Sequence, residues 1–459
     1  STGTLWLADN SGGGFNYDRL LAGTWSQMAP AGGGGSEGRS VAVDPANASR
    51  VMFVNSDGSS NLTTDGGANW TRGTTIVRAA TDIPWLATTN ESFFSNGDAK
   101  FDPSASNKLY VGEGIGIWHN TPISTTWTSQ SAGIENLIGN GVLAPAGGGN
   151  PVVWSWDRAI FYVSNPAAYP SAQAWDPAEQ ILHGWSVDAV PGTPGTMVTI
   201  SNDDGFSAGI DDRSGISTDG GQTWTEFAGK PAEIFAGGSI AAVSASVILW
   251  AQSTSGGLYR TTNGGTSWSL LSISGIPASG QRGWGFAYYI NRKIVDADKV
   301  TAGTVYAYNS GSDTPITATG VWQSTDSGVN WTRVFSGEVA NFTGFAVTMK
   351  AVPGNAGHLF FTAGPQSAPH PADTDFKRST DGGANWSSVT GFKEVTAFGF
   401  GAIYPGQSYP SIYASGWNNS VYGIWRSIDN AVSWTKVGDY PTGVFSTIKS
   451  IDGDKAIPG

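Results

Sequence analysis

Short apolar runs recur along the chain, and most of them stop at a proline or a glycine. Residues 40–44 (SVAVD) end at Pro45, and the apolar run 51–54 (VMFV) follows. The same order of run, turn and run returns at 101–103 with 109–111, at 351–353 with 359–361, and at 402–405 with 412–413. Runs of this length between turn residues predict strands. No stretch approaches the roughly 18 apolar residues of a membrane-spanning helix. The pattern therefore predicts an all-β protein.

An eight-residue pattern, Ser/Thr-x-Asp-x-Gly-x-x-Trp, repeats between these runs. Four full copies and two degenerate ones end at tryptophans: Trp70, Trp224, Trp331 and Trp386, then Trp268 and Trp434. Asp or Asn in such a pattern caps its own backbone, and Gly takes a positive φ. The tryptophan then begins the outgoing strand and fills the space between neighbouring sheets. We expect hairpin turns with a structural role, and not catalytic carboxylates.

Three further tryptophans (Trp25, Trp127 and Trp175) fall in the same phase without the full motif, which makes nine units. Trp224 and Trp268 are 44 residues apart, and Trp268 and Trp331 are 63 apart. Steps of this size correspond to one four-stranded blade each. The spacing predicts about nine blade-like units, although single propellers usually have about four to eight blades.

The repeated motif is similar to the Asp-box of sialidases, sortilins and related propellers. The segments between the motifs resemble the C-terminal part of glycoside hydrolase family 74. The resemblance rests on residues 1–9, 97–103 with 110–118, 133–136 with 152–157, 291–295, 398–410, 423–427 and 438–441. It runs along nearly the whole chain. It implies a β-propeller of four-stranded blades with Asp-box turns.

Enzymes of this family have two seven-bladed propellers that face each other across an open cleft. A chain of 459 residues is too short for fourteen blades. We therefore expect residues 1–459 to form one propeller repeat domain, seven-bladed, with extra blade material at the chain ends. Residues 1–30 and 415–459 are candidates for a second, incomplete propeller. The region that would supply the family's first propeller and its catalytic base is expected to be absent.

The resemblance also implies hydrolysis of the β-1,4-glucan backbone of xyloglucan with inversion. Inversion needs two carboxyl groups about 6.5–9.5 Å apart, so that a water molecule fits. Asp98 is the candidate acid. It begins an inner strand, where alternation places Lys100 and Asp102 on the same face. Corresponding positions in other units, such as Thr348 and Phe400, are not acidic. The alternative is that Asp98 caps the turn after Gly97.

Two residues are candidates for the catalytic base. Asp57 lies in a loop of the preceding blade, and Asp157 lies in the following blade. The alternatives are a turn residue before Gly58 for Asp57 and an ion pair with Arg158 for Asp157. Both candidates stay open.

Sugar sites use flat aromatic rings that stack on pyranose faces. Five tryptophans lie outside the repeated position and are candidate substrate-binding platforms: Trp85, Trp118, Trp154, Trp156 and Trp284. Trp154 and Trp156 share one face of a strand, and Trp85 is expected in a loop after Pro84. Packing in the core or between blades is the alternative for each ring.

Composition narrows the partners. The net charge is −12 with a pI near 4.7, so nucleic acid and acidic membrane surfaces are expected to be repelled, whereas a neutral plant polysaccharide is not. The chain has no cysteine, and its four histidines do not lie at metal-ligand spacing. We therefore expect no metal and no organic cofactor, since the carboxyl pair and water suffice. Sequons at Asn47, Asn61 and Asn341 fit a secreted, extracellular protein, and we expect a monomer.

Other functions fit the fold less well. A non-catalytic carbohydrate-binding propeller remains the main alternative. A sialidase needs an arginine cluster with a tyrosine nucleophile, and arginine is sparse here. A polysaccharide lyase would need basic residues to hold uronates, and a sortilin-like propeller would carry a cysteine-rich module. The fold alone cannot decide between these functions, because one fold hosts many. The resemblance to family 74 therefore carries the prediction of a glycoside hydrolase with Asp98 as its acid.

Overall fold

A computed structural model describes most of the chain. The described residues are 3–9, 16–28, 38–55, 59–73, 77–88, 96–114, 116–121, 126–134, 137–156, 158–175, 183–202, 213–231, 237–252, 257–276, 293–309, 318–340, 347–364, 376–439 and 448–459. Across them run thirty-five strands in nine sheets and one short helix, which confirms the all-β fold class. No helix in these segments is long and apolar enough to cross a membrane. The chain divides into two compact units.

The first unit comprises the residues up to 137 together with 167–172. Its first sheet contains β1 (Leu5–Asp9), β2 (Asn16–Leu21) and β3 (Thr24–Met28). The second contains β4 (Gly38–Asp44), β5 (Asn47–Asn55), β6 (Ser60–Thr63) and β7 (Thr71–Gly73). The third contains β8 (Val77–Ala79), β9 (Asn96–Asp102), β10 (Ala105–Glu113), β11 (Ile117–Asn120) and β12 (Thr126–Ser129). Helix α1 (Pro84–Thr88) lies between β8 and β9 in the chain.

Strand β9 is an edge strand of the third sheet, whose order is β8-β12-β11-β10-β9. All its pairs are antiparallel except β8 with β12. The side chain of Asn96 joins β9 to the second sheet, because its amide donates to the Asn55 carbonyl (2.6 Å) and its oxygen accepts from the Ser40 hydroxyl (3.0 Å). The two edge strands β4 and β9 therefore lie side by side.

The second unit comprises residues 138–166, 173–175 and 181–459, in six sheets. The first three contain β13 (Gly139–Leu143), β14 (Val152–Ser155) and β15 (Ile160–Tyr162); β16 (His183–Ala189), β17 (Met197–Asn202), β18 (Gly215–Ser217) and β19 (Thr225–Glu226); β20 (Gly238–Ala242), β21 (Ile248–Gln252), β22 (Leu258–Thr261) and β23 (Ser269–Leu270). The last three contain β24 (Val295–Ala297), β25 (Val305–Asn309), β26 (Gly320–Ser324) and β27 (Thr332–Ser336); β28 (Thr348–Ala351), β29 (Leu359–Thr362), β30 (Lys377–Ser379) and β31 (Ser387–Ser388); β32 (Phe392–Ile403), β33 (Pro410–Asn418), β34 (Val421–Ser427) and β35 (Thr435–Gly438). Each sheet is a meander, in which neighbours in the chain pair antiparallel.

Polar side chains join the first strands of successive sheets in this unit. Asp188 on β16 accepts from the backbone N–H of Ala242 on β20 (3.0 Å). Asp296 on β24 accepts from the N–H of Ala351 on β28 (2.8 Å). Because these buried carboxylates use backbone donors of the next sheet, they fix how neighbouring blades sit against each other.

Residues 448–459, here called the closing segment, lie between β32 and the end of β13. The Gly453 N–H donates to the Phe400 carbonyl (3.1 Å), and the Asp452 carboxylate accepts from the N–H groups of Phe400 (3.3 Å) and Ala144 (2.9 Å). The first strands of the six sheets are linked in sequence, from β13 through β16, β20, β24 and β28 to β32, and the closing segment joins β32 back to β13. The number of blades in the complete propeller stays a prediction.

The repeated motif forms the predicted turn. In the copy before Trp331, the Asp326 carboxylate accepts from the Asn330 N–H (2.8 Å), and the Ser324 hydroxyl accepts from the Gly328 N–H (2.9 Å). Gly328 has a φ of +82°, and a Cβ there would approach Leu249 of the preceding sheet to 3.2 Å. The glycine therefore serves both the turn and the close approach of two blades.

The motif tryptophans pack between sheets, as expected. Trp268 contacts Trp250 of its own sheet (ring centroids 5.7 Å apart) and Phe227, which follows the preceding sheet (5.5 Å). Trp386 contacts Phe361 of its own sheet at 5.9 Å, as Trp268 contacts Trp250. These edge-to-face contacts bury large apolar surfaces at each junction.

Candidate functional site

Asp98 lies on β9, and the strand alternates as the sequence predicts. Ala99 and Phe101 are buried, whereas Asp98 and Lys100 are exposed on the opposite face. Asp102 ends the strand and accepts from the backbone N–H (2.8 Å) and the hydroxyl (2.7 Å) of Ser104. Its carboxylate therefore belongs to the turn between β9 and β10.

The Asp98 carboxylate forms an ion pair with the neighbouring lysine. Lys100 Nζ lies 2.9 Å from Asp98 Oδ2, and the two side chains are 71% and 64% exposed. An exposed pair of this kind contributes between about 0 and 1 kcal/mol to stability. The carboxylate is therefore accessible to a ligand at little structural cost.

Glu113, a carboxylate that the sequence analysis did not select, lies on β10, the strand paired with β9. Asp98 is opposite Gly112 on β10, and the next residue is Glu113. Glu113 Oε1 accepts from the indole N–H of Trp118 on β11 (2.7 Å). Trp118 itself has no exposed surface. Structure was needed to find this pair, because the two residues are adjacent only through strand pairing.

Trp85 lies in helix α1, so the prediction that this residue lies in a loop is wrong. Pro84 begins the helix, a position where its fixed φ and missing N–H cost nothing. The Trp85 side chain is 3% exposed. In this position its ring is a packing group and not an open platform.

The other two described candidates are buried in the second unit. Trp154 is 8% exposed and lies over Gly141, where a Cβ would come within 1.9 Å of the ring. Trp156 is 5% exposed and packs edge-on against His183 (4.4 Å) and Trp185 (4.8 Å). Stacking on a sugar would require these rings to be uncovered, so their role as platforms stays a prediction.

Asp57, Asp157 and Trp284 lie outside the described residues. The structure brings Asp98 and Trp118 onto one sheet of the first unit. Trp154 and Trp156 belong to the second unit. Within the described segments, no group of three or more His, Asp or Glu side chains is placed to hold a metal ion.

The second unit contains a buried cluster of four charges that the sequence analysis missed. Lys299 Nζ lies 2.7 Å from Asp296 and 3.4 Å from Asp188, and Lys293 Nζ lies 3.4 Å and 3.3 Å from the same two residues. Burial favours the neutral form of Asp296, but the two ammonium groups outweigh it and lower its pKa. Burial likewise opposes the charge of Lys299, and the two carboxylates still raise its pKa.

No family model matches the chain. Among curated proteins, it is 26% identical over 373 residues to a xyloglucanase from a Paenibacillus species, which covers 79% of this chain and 33% of that protein. It is 24% identical over 424 residues to the xyloglucanase Xgh74A from Acetivibrio thermocellus, which covers 86% of this chain and 45% of that protein.

Solved structures give the same picture for the fold. The GH74 xyloglucanase from Xanthomonas campestris superposes with a TM-score of 0.76 at 24% identity, and the match covers 99% of this chain and 63% of that one. The chain thus spans between a third and a half of the length of the two curated relatives. These matches over most of the chain confirm its resemblance to glycoside hydrolase family 74 and, with it, a β-propeller fold.

Proposed function

We propose that this chain is part of a secreted glycoside hydrolase that cleaves the β-1,4-glucan backbone of xyloglucan or a related plant polysaccharide. The similarity to curated xyloglucanases over 79–86% of the chain carries this proposal. The net charge of −12 supports a neutral polysaccharide over an anionic one. No metal or organic cofactor is part of the proposal.

Asp98 is the proposed general acid of an inverting reaction. Its accessible carboxyl group on an exposed strand face supports this role, because the acid must reach the glycosidic oxygen. A general acid has to carry its proton when the bond breaks, and exclusion of water by a bound glucan favours the protonated form of a carboxyl group. Asp57 and Asp157 remain the proposed candidates for the base, which activates water on the opposite face of the sugar.

The test is the release of reducing sugar from xyloglucan by the purified chain and by Asp98→Asn. We expect the substitution to lower the rate by about 10²–10⁴-fold, the usual contribution of a positioned acid. Asp102→Asn is the matched control, since this carboxylate lies on the same strand but accepts from Ser104 and from the Ala105 N–H, where the chain turns from β9 to β10. The control should retain the parent rate.

The results separate the proposal from its alternative. Equal rates for the parent chain and Asp98→Asn would remove Asp98 from the mechanism. Asp57→Asn and Asp157→Asn, assayed in parallel, show which of the two supplies the base. A parent chain that is retarded in xyloglucan-containing gels but releases no sugar would favour the non-catalytic carbohydrate-binding propeller.

The same gels test the aromatic platforms. Trp284→Ala should weaken retention if this ring stacks on the glucan. Trp118→Ala, Trp154→Ala, Trp156→Ala and Trp85→Ala serve as comparisons, because the structure buries these rings. A gel that contains polygalacturonate should not retain the chain, because both are anionic.

A further inference from the structure

In the second unit, a cavity of about 110 Å³ lies between the closing segment and the first strands of several sheets. Its wall combines aromatic rings with charged side chains. Trp154, Trp185, Phe398 and Phe400 supply the rings. Such a mixture of apolar wall and a few convergent polar groups is typical of small-molecule sites.

Most of the charges in this wall are already paired. The cluster of Asp188, Asp296, Lys293 and Lys299 is neutral as a whole. Lys455 pairs with Asp452 at 2.5 Å. Two further lysines of the wall, Lys350 and Lys449, therefore remain as excess positive charge.

The three carboxylates of the wall are not available to these two lysines. Asp188 and Asp296 each accept from a backbone N–H of the neighbouring sheet as well as from lysines. Asp452 accepts from two backbone N–H groups and from Lys455. Turning any of them toward Lys350 would leave buried backbone donors unsatisfied, which costs about 1–3 kcal/mol each.

Among the residues that the structure describes, the partners of Lys350 are neutral. Its ammonium donates to the carbonyls of Phe398 (2.8 Å) and Ile451 (3.5 Å) and lies 5.5 Å from the centre of the Phe398 ring. Among the described residues, no carboxylate lies within ion-pair distance of it. An ammonium has three donors, so one remains for a ligand in the cavity.

Burial lowers the pKa of Lys350 to about 8, with the charge of Lys455 acting in the same direction against the attraction of Asp452. The group is still mainly protonated at pH 7. A protonated amine in partly dry surroundings favours an anionic partner.

We propose that this cavity binds a small carboxylate anion of about the size of acetate, with Lys350 as its charged partner. The carboxylate accepts from the Lys350 ammonium, and the aromatic rings contact the alkyl end. A carboxylate fits this mixed wall better than a multiply charged phosphate, which would need more donors. The proposal does not depend on the hydrolase activity.

Isothermal titration of the purified chain with sodium acetate at pH 7 tests this site. We expect saturable binding of acetate, and no binding of the neutral isostere acetamide or of chloride at equal ionic strength. Lys350→Met should weaken acetate binding at least tenfold. Lys377→Met is the matched control, because this lysine lies on β30 and donates to Ser388 instead of lining the cavity.

Lys350→Arg separates loss of the charge from a folding defect. It keeps the positive charge and should retain measurable acetate binding. Circular dichroism checks that each variant is folded. Three results would each overturn the proposal. The first is a heat of acetate injection equal to that of chloride, and the second is parent-like acetate binding by Lys350→Met. The third is binding of inorganic phosphate by a chain that does not bind acetate. Acetate binding that is lost with Lys350→Met and kept with Lys350→Arg would support it.

Discussion

At the scale of single residues, the aspartates of the repeated turn act as structural acceptors. Asp326 accepts from the backbone N–H of Asn330, from the side-chain amide of Asn330 and from the Ser324 hydroxyl, each within 2.8 Å. These bonds, led by the one from the Asn330 backbone, lower its pKa to about 2. Asp65 accepts from Asn69 and Thr63, the equivalent residues of its own copy, and these bonds also lower its pKa to about 2. Neither carboxylate is free for catalysis.

Asp326 should stabilise the fold in a pH-dependent way. Its pKa in the folded chain is below the ordinary value of 3.8, so its contribution is fully present above about pH 4 and is lost as the pH falls toward 2. We expect Asp326→Asn to destabilise the chain at pH 6, because it weakens these hydrogen bonds. The effect should be limited to about 1 kcal/mol, because the side chain is exposed to solvent. Urea unfolding midpoints at pH 6, 4, 3 and 2 measure the difference from the parent, which should shrink with pH. Asp439→Asn is the control, and a difference that stays constant with pH would contradict this assignment.

At the scale of elements, the turns show why glycine recurs in the motif. Gly383 has a φ of +86°, and a Cβ there would meet Val321 of the preceding sheet at 2.9 Å. In the last copy the equivalent residue is Ala431, with a φ of +63°. A left-handed conformation costs a non-glycine residue about 1–2 kcal/mol. This turn also has Asn430 at a φ of +62°, so it carries more left-handed strain than the copies with glycine at both positions.

Ala431→Gly should stabilise the second unit by about 0.5–1 kcal/mol. Relief of the left-handed strain exceeds the entropy that glycine adds to the unfolded chain. The urea unfolding midpoint measures the change. Gly383→Ala is the reciprocal variant and should be destabilising, because it adds both strain and a contact with Val321. A lower midpoint for Ala431→Gly would show that the alanine methyl contributes more by packing than it costs in strain.

The elements also show how far sequence reasoning reaches. The strand alternation around Asp98 and the turn motifs were predictable, because both depend on neighbours within a few residues. The burial of Trp118 was not, since it depends on Glu113 and on strands that meet only through folding. The charged cluster around Asp296 was hidden for the same reason: Asp188, which shares Lys293 and Lys299 with it, is more than a hundred residues away. Local patterns predict elements, and only the fold assembles a site.

At the scale of the whole second unit, the closing segment completes a sequence of contacts that begins at β13. Asp452 is the central residue of this junction, because its carboxylate accepts from Phe400 on β32 and from Ala144 after β13. Its side chain is 6% exposed and is paired with Lys455, which also donates to the Ala144 carbonyl. The junction thus combines one buried ion pair with the backbone bonds from Gly453 to Phe400 and from Ala402 to Asp454.

Asp452→Ala should open this junction. Removal of one partner of a buried ion pair costs about 3–5 kcal/mol and leaves the ammonium of Lys455 uncompensated. Hydrogen exchange measures the effect: the amides of Phe400 and Ala144 should exchange about 100-fold faster or more, since each 1.4 kcal/mol corresponds to a factor of ten.

Asp454→Ala is the matched control for this experiment. Within the described segments its carboxylate accepts from the N–H groups of Ala456 and Ile457, both in the closing segment, and its backbone carbonyl still accepts from Ala402. Exchange at Phe400 should then stay at the parent rate. If Asp452→Ala also left that rate unchanged, the backbone bonds from Gly453 to Phe400 and from Ala402 to Asp454 would suffice to hold the junction. The blades of this unit would then be joined mainly by backbone pairing and apolar contact. Faster exchange confined to Asp452→Ala would instead place much of the free energy of closure in this one buried carboxylate.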